Sequence, residues 1–172
     1  MDQDLYVTAC ERLLSPLGLE RPAMDLFATH LNRKAPNFGS LHPNPGATWV
    51  NSIAHPWWAL PPSLPQILYA FPPPFLLLPT IRKVVEEKQT ALLVLPATPE
   101  TPLEQLARAM VSPPLIVPWT DSTVAIPLAD MMTPKQKVYN RGHWILAFVV
   151  ISGSRSVIAR SRTTSSMCYS NK

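Results

Sequence analysis

The sequence predicts an α/β domain: a small open, mostly parallel sheet of about four strands flanked by helices, with a flexible basic C-terminal tail. Three observations predict it. Residues 67–71 form a short apolar run, Ile67-Leu68-Tyr69-Ala70-Phe71, stopped by Pro72-Pro73-Pro74, and proline cannot donate to a sheet ladder. Residues 75–89 put Leu77, Ile81, Val84 and Val85 on one side and Arg82, Lys83, Glu86, Glu87 and Lys88 on the other, the pattern of an amphipathic helix. Residues 90–97 are continuously apolar through Ala91-Leu92-Leu93-Val94-Leu95, as in a strand buried on both faces. Strand, turn, helix and strand make a βαβ unit with a right-handed crossover. Ligands of such sheets bind beyond the carboxyl ends of the strands, which here are Phe71-Pro72-Pro73-Pro74 and Pro96-Ala97.

From the N-terminus, residues 5–14 read as a short helix with Leu5, Ala9, Leu13 and Leu14 on one stripe, ended by Pro16-Leu17-Gly18. Residues 23–28 read as a strand, followed by the polar, turn-like cluster 32–37. Residues 39–66, with Trp49, Trp57, Trp58 and repeated prolines, are expected to be a braced loop with one helical turn near Trp49 to Ala54. After the central unit, a proline at the first turn and an early Glu104 favour a helix over 102–111. Leu115-Ile116-Val117 gives another short strand. Residues 138–151 make one more strand or helix, and the chain from Ser152 is expected to be flexible. The organisation predicted is thus an N-terminal helix over 1–20, an α/β domain over 21–130 and a basic extension over 131–172, disordered from about 152.

A chain of 172 residues is long enough to bury a substantial core. Its charged share of 15% is well below the roughly 25% of typical soluble domains, and its 21 prolines are more than twice the usual share. Helices should be short and connections stiff. The net charge of +4 hides an asymmetry, for residues 131–172 carry 7 basic and no acidic side chains. Such an end either meets nucleic acid or another polyanion, or is simply solvated. Cys10 and Cys168 sit near opposite ends, the pattern of free thiols in a reducing compartment. The acidic start Met1-Asp2-Gln3-Asp4 is unlike a signal peptide. The apolar run over 144–151 is less than half of the ~20 residues a membrane span needs. An intracellular protein, cytoplasmic or nuclear, is expected.

Few residues carry chemistry. His30, His42 and His55 are too far apart to form a short-spaced zinc motif. There is no Gly-x-Ser-x-Gly elbow, Gly-x-Gly-x-x-Gly loop or Walker loop in the sequence. Asp25 stands out, because an aspartate within Met24-Leu26-Phe27 is costly to bury unless it caps a backbone turn or binds a ligand. Trp57 and Trp58 either stack bases or stiffen a proline loop.

Met24-Asp25-Leu26-Phe27-Ala28-Thr29-His30-Leu31-Asn32 and Tyr69-Ala70-Phe71-Pro72-Pro73 resemble, in this order, segments of DIRS-type tyrosine-recombinase retrotransposon polyproteins. Ile81-Arg82-Lys83, residues 91–96, Asp130, Trp144-Ile145-Leu146-Ala147 and Ser152-Gly153 follow the same frame. The resemblance implies the C-terminal region of such a polyprotein, past the reverse transcriptase and RNase H. That region in turn resembles phage-type DNA N6-adenine methyltransferases. The likeness implies a degenerate Rossmann or methyltransferase-like sheet, with Asp25 and Ala28 at the S-adenosylmethionine position and Phe71, Pro72 and Pro73 at the catalytic motif. Phe71 stands where the family has an Asn or Asp acceptor, and Pro74 where it has a stacking aromatic. The sequence has no Tyr-x-Asp-Asp pair and no spaced acids for two metal ions, so polymerase activity would belong to the parent polyprotein.

The expectation is a non-catalytic methyltransferase-like module or remnant with no intact catalytic residue and no resident cofactor or metal. Its partners would be nucleic acid, met by the basic residues between Lys135 and Lys172, and other parts of the polyprotein, with no membrane. The alternative is an active S-adenosylmethionine-dependent DNA N6-adenine methyltransferase.

Overall fold

The computed structural model describes residues 2–59, 67–96, 101–118 and 145–169. Among them, seven strands form one sheet in the order β3-β2-β1-β4-β5-β7-β6. The strands are β1 (Met24–Asp25), β2 (Asn37–Ser40), β3 (Trp49–Val50), β4 (Ile67–Ala70), β5 (Thr90–Pro96), β6 (Leu115–Pro118) and β7 (Ile145–Ser152). β3, β2, β1, β4 and β5 are mutually parallel. β7 is antiparallel to both β5 and β6. The fold is α/β with a mostly parallel sheet, as the sequence predicts, but with more strands.

The extra strands lie where an irregular loop was expected. Phe38, Gly39 and Ser40 are buried in β2, and β2 pairs with β3 through Gly39–Trp49 and Ser40–Val50. Short helical turns at Ser52–Ala54 and Trp57–Ala59 follow. The strand expected over 23–28 shrinks to β1 because the Asp25 side chain captures the backbone N–H groups of Phe27 and Lys34 and turns the chain. β7 falls within the segment 131–172 expected as an extension, and Leu146 to Ile151 is apolar and buried throughout. It sits inside the sheet, not beyond it. Instead of a flexible tail, residues after Ser154 form a helix, Arg155–Tyr169.

Helices α1 (Gln3–Leu13), α2 (Pro74–Glu86), α3 (Leu103–Ala109) and α4 (Arg155–Tyr169) complete the described residues. Asp2 caps α1 by accepting from the Asp4 and Leu5 amides at 2.9 and 3.0 Å, which satisfies two of the orphan donors of its first turn. Strand alternation then sorts the core into two layers. Met24, Leu68, Ala70, Leu93 and Leu95 face α2, α3 and Trp57. Ile67, Tyr69, Leu92, Val94, Phe148 and Val150 face Tyr6, Ala9, Cys10 and Leu13 of α1. α4 packs on the helical turn Ser15–Leu17 that follows α1.

Trp57 is fully buried and ties its loop to α2. Its backbone N–H donates to Glu87 Oε2 at 2.6 Å and its indole N–H to the Ser52 carbonyl at 2.8 Å. The Lys83 ammonium, paired with Glu87, lies 5.1 Å from the indole centroid. This ring therefore stiffens a loop and stacks no base. Trp58 is exposed, but its neighbour is fastened to the C-terminal end of α2, opposite the carboxyl edge of the sheet.

Candidate functional site

The parallel registers bring Asp25, Phe71 and Pro96 to one edge. Asp25 pairs with Tyr69, Ala70 pairs with Leu93, and β5 continues to Pro96. All three residues stand at the carboxyl ends of adjacent strands, where doubly wound sheets hold their ligands. Ala97 and Asp130 lie outside the described residues, as do the basic residues Lys135, Lys137, Arg141 and Lys172.

Asp25 is 2% exposed. Its Oδ1 accepts from the Phe27 N–H at 3.3 Å and its Oδ2 from the Lys34 N–H at 2.9 Å. Both oxygens thus close the loop over residues 26–34, the capping role. Burial pushes the carboxyl up from its ordinary 3.8 to about 7, against the pull of the two backbone amides and the Lys34 charge. Ala28 is buried, and its N–H donates to the Gly39 carbonyl at 2.9 Å.

The loop beyond Asp25 is fixed by side chains. Asn32 Oδ1 accepts from the Thr29 N–H and hydroxyl at 2.7 and 3.1 Å. Asn44 Oδ1 accepts from the His30 N–H at 3.0 Å, and His30 Nδ1 lies 3.0 Å from the same oxygen. Lys34 Nζ donates to Gln3 Oε1 at 3.3 Å, joining this loop to α1.

Just past β4, Phe71 is half-buried and packs into the α1-side layer. Pro72 and Pro73 are buried, and Pro74 opens α2. Prolines suit this junction, since they withdraw N–H groups that a helix start leaves unpaired. Leu76 N–H donates to the Pro73 carbonyl at 2.9 Å. Phe75 is 73% exposed on the first turn of α2.

A second set of groups was not picked out from the sequence. Tyr69, on the same sheet face as Asp25, is buried and its hydroxyl has no hydrogen-bond partner. The ring of Tyr6 meets it edge-on, with centroids 5.2 Å apart. Cys10 is buried one turn further along α1. Burial raises the pKa of all three. The available signal was the two-residue spacing of strands combined with the four-residue spacing of Tyr6 and Cys10.

Among the described residues, no group of three or more His, Cys, Asp or Glu side chains is placed to hold a metal ion, and no helix is long and apolar enough to cross a membrane. Arg155, Arg160 and Arg162 are exposed on α4. Comparison with protein-family models, with curated proteins and with solved structures finds no match to this chain.

Proposed function

We propose that the chain is a non-catalytic methyltransferase-like module, of the kind carried in the C-terminal part of retrotransposon polyproteins, that holds nucleic acid through its basic C-terminal region. The sheet order supports the methyltransferase-like part. It is the doubly wound order 3-2-1-4-5-6 with one antiparallel strand set between the fifth and sixth. The observation that carries the non-catalytic part is the state of the carboxyl edge. Asp25 gives both oxygens to the Phe27 and Lys34 amides and is 2% exposed, which supports a capping role over contact with S-adenosylmethionine. Phe71 offers a ring, packed into the core, where an amine acceptor is required. The nucleic-acid part rests on charge: Arg155, Arg160 and Arg162 project from α4, in a segment without acids.

Two measurements test this. Fluorescence anisotropy with labelled DNA is expected to show binding that weakens steeply between about 50 and 200 mM salt, as counterion release requires. Incubation with S-adenosylmethionine and adenine-containing DNA is expected to transfer no methyl group. Transfer that Asp25→Ala abolishes would establish an active DNA N6-adenine methyltransferase instead. Salt-independent binding, or none, would remove the nucleic-acid role.

A further inference from the structure

The edge strands of a sheet present unpaired N–H and C=O groups on which another chain can add. Among the described residues the two edges are β3 and β6, and they differ. The Asn51 N–H donates to the Ser40 carbonyl of β2 at 2.7 Å, and the peptide bond before it is trans, so the Val50 carbonyl points outward. His55 Nε2 lies 3.1 Å from that oxygen, with its imidazole stacked on Trp49 at a centroid distance of 5.4 Å. The β3 edge is thus two residues long with an outward acceptor already engaged. β6 offers more. Its ladder to β7 runs Leu115–Phe148, Ile116–Ala147, Val117–Leu146 and Pro118–Ile145. Antiparallel pairs alternate between those that exchange two hydrogen bonds and those that exchange none. Pro118 has no N–H, so Pro118–Ile145 is of the second kind, and Ile116–Ala147 is too. The other side of β7 agrees, for Pro96 pairs with Leu146 and leaves Leu146 to bond Val117. The N–H and C=O of Ile116 therefore face away from β7, as does the ring nitrogen of Pro118. The Ile116 side chain is 51% exposed, whereas Leu115 and Val117 pack toward α1.

A second copy of the chain, laid antiparallel about a two-fold axis at Ile116, fits these groups. The two Ile116 residues would exchange two hydrogen bonds, and their side chains would meet on one face. In that register Pro118 of each copy falls opposite Pro114 of the other. There a ring carbon stands where a donor is needed and holds the facing carbonyl beyond hydrogen-bond distance. We propose that Pro118 and Pro114 hold the β6 edge closed to a second copy of this chain, and that Ile116 is the surface they guard. The proposal does not depend on the function proposed above. Both prolines are exposed, and Pro118 exchanges no hydrogen bond with β7, so their replacement leaves the ladder intact.

Sedimentation equilibrium of the full chain reads this directly. Replacing both prolines, Pro114→Thr with Pro118→Thr, is expected to tighten self-association at least about tenfold, because the restored donors complete further bonded pairs on each side of Ile116. Adding Ile116→Lys is expected to cancel that gain, since a charge on an edge strand opposes pairing. Pro113→Thr, one residue out of the outward set, is expected to change nothing. The proposal is overturned if the double variant associates no more than the unaltered chain, if Ile116→Lys leaves the gain in place, or if Pro113→Thr reproduces it. Should the double variant fail to fold, hydrogen exchange of the unaltered chain decides, with each amide normalised to its intrinsic rate. The outward Ile116 amide is expected to exchange at least about tenfold faster than those of Leu115 and Val117. Equal protection of the three would mean that the edge is already paired, and would end the proposal.

Discussion

Asp25 is a buried carboxyl that accepts from the Phe27 and Lys34 amides. It ends β1 and closes the loop that follows. Because the folded carboxyl holds its proton up to about 7 while the unfolded one releases it near 3.8, folding takes up a proton in that window. Stability contributed by this group is then full below pH 3.8 and is lost as pH rises toward 7. Relative to Asp25→Asn, the unaltered chain is expected to lose roughly 4 kcal/mol across that interval, measured as urea midpoints at a series of pH values. Gly39 is decisive for a different reason. A Cβ there would stand 1.8 Å from Ser52 Oγ and 3.3 Å from the Leu26 carbonyl. Gly39→Ala is expected to cost about 1–3 kcal/mol. Adding Ser52→Ala should return part of that loss, since it removes the nearest atom, and a double-mutant cycle by urea unfolding checks it.

At the scale of elements, the sequence was most legible where one periodicity ran unbroken. α2 and β5 fall where the 3.6-residue and continuous-apolar patterns put them. β2 and β3 were illegible because Asn37-Phe38-Gly39-Ser40 and Trp49-Val50 are too short to show alternation, and their pairing partners lie elsewhere in the chain. Asp25 was legible as an anomaly, an acid among apolar residues. That both its oxygens serve as a cap was not, because the donor on Lys34 is nine residues away. The α2 end shows how such elements are joined. Glu87→Ala removes the acceptor of the Trp57 N–H and the partner of Lys83 together. It is expected to cost about 1–3 kcal/mol and to speed local exchange over residues 52–59 more than elsewhere. Gly153, just past β7, meets the same end of α2: a Cβ would lie 2.4 Å from the Val85 carbonyl oxygen. Backbone cannot rotate aside, so Gly153→Ala should be the harsher of the two glycine substitutions in thermal melts.

For the molecule as a whole, β7 has the largest consequence. Its partner β5 pairs with it from Thr90–Ser152 to Pro96–Leu146, so the middle of the sheet is stitched by residues made far apart in time. At the usual pace of synthesis, roughly 5–20 residues per second, β5 waits several seconds with one ladder of N–H and C=O groups open and its leucines uncovered. Such contacts, distant in sequence, also make folding slow. A chain stopped before Ile145 is expected to leave that edge permanently open and to aggregate, detected as loss of soluble protein and thioflavin-positive material. Nascent chains of this protein should accordingly be long-lived clients of whatever chaperone meets them at the ribosome, and should reach the native state only after β7 has emerged.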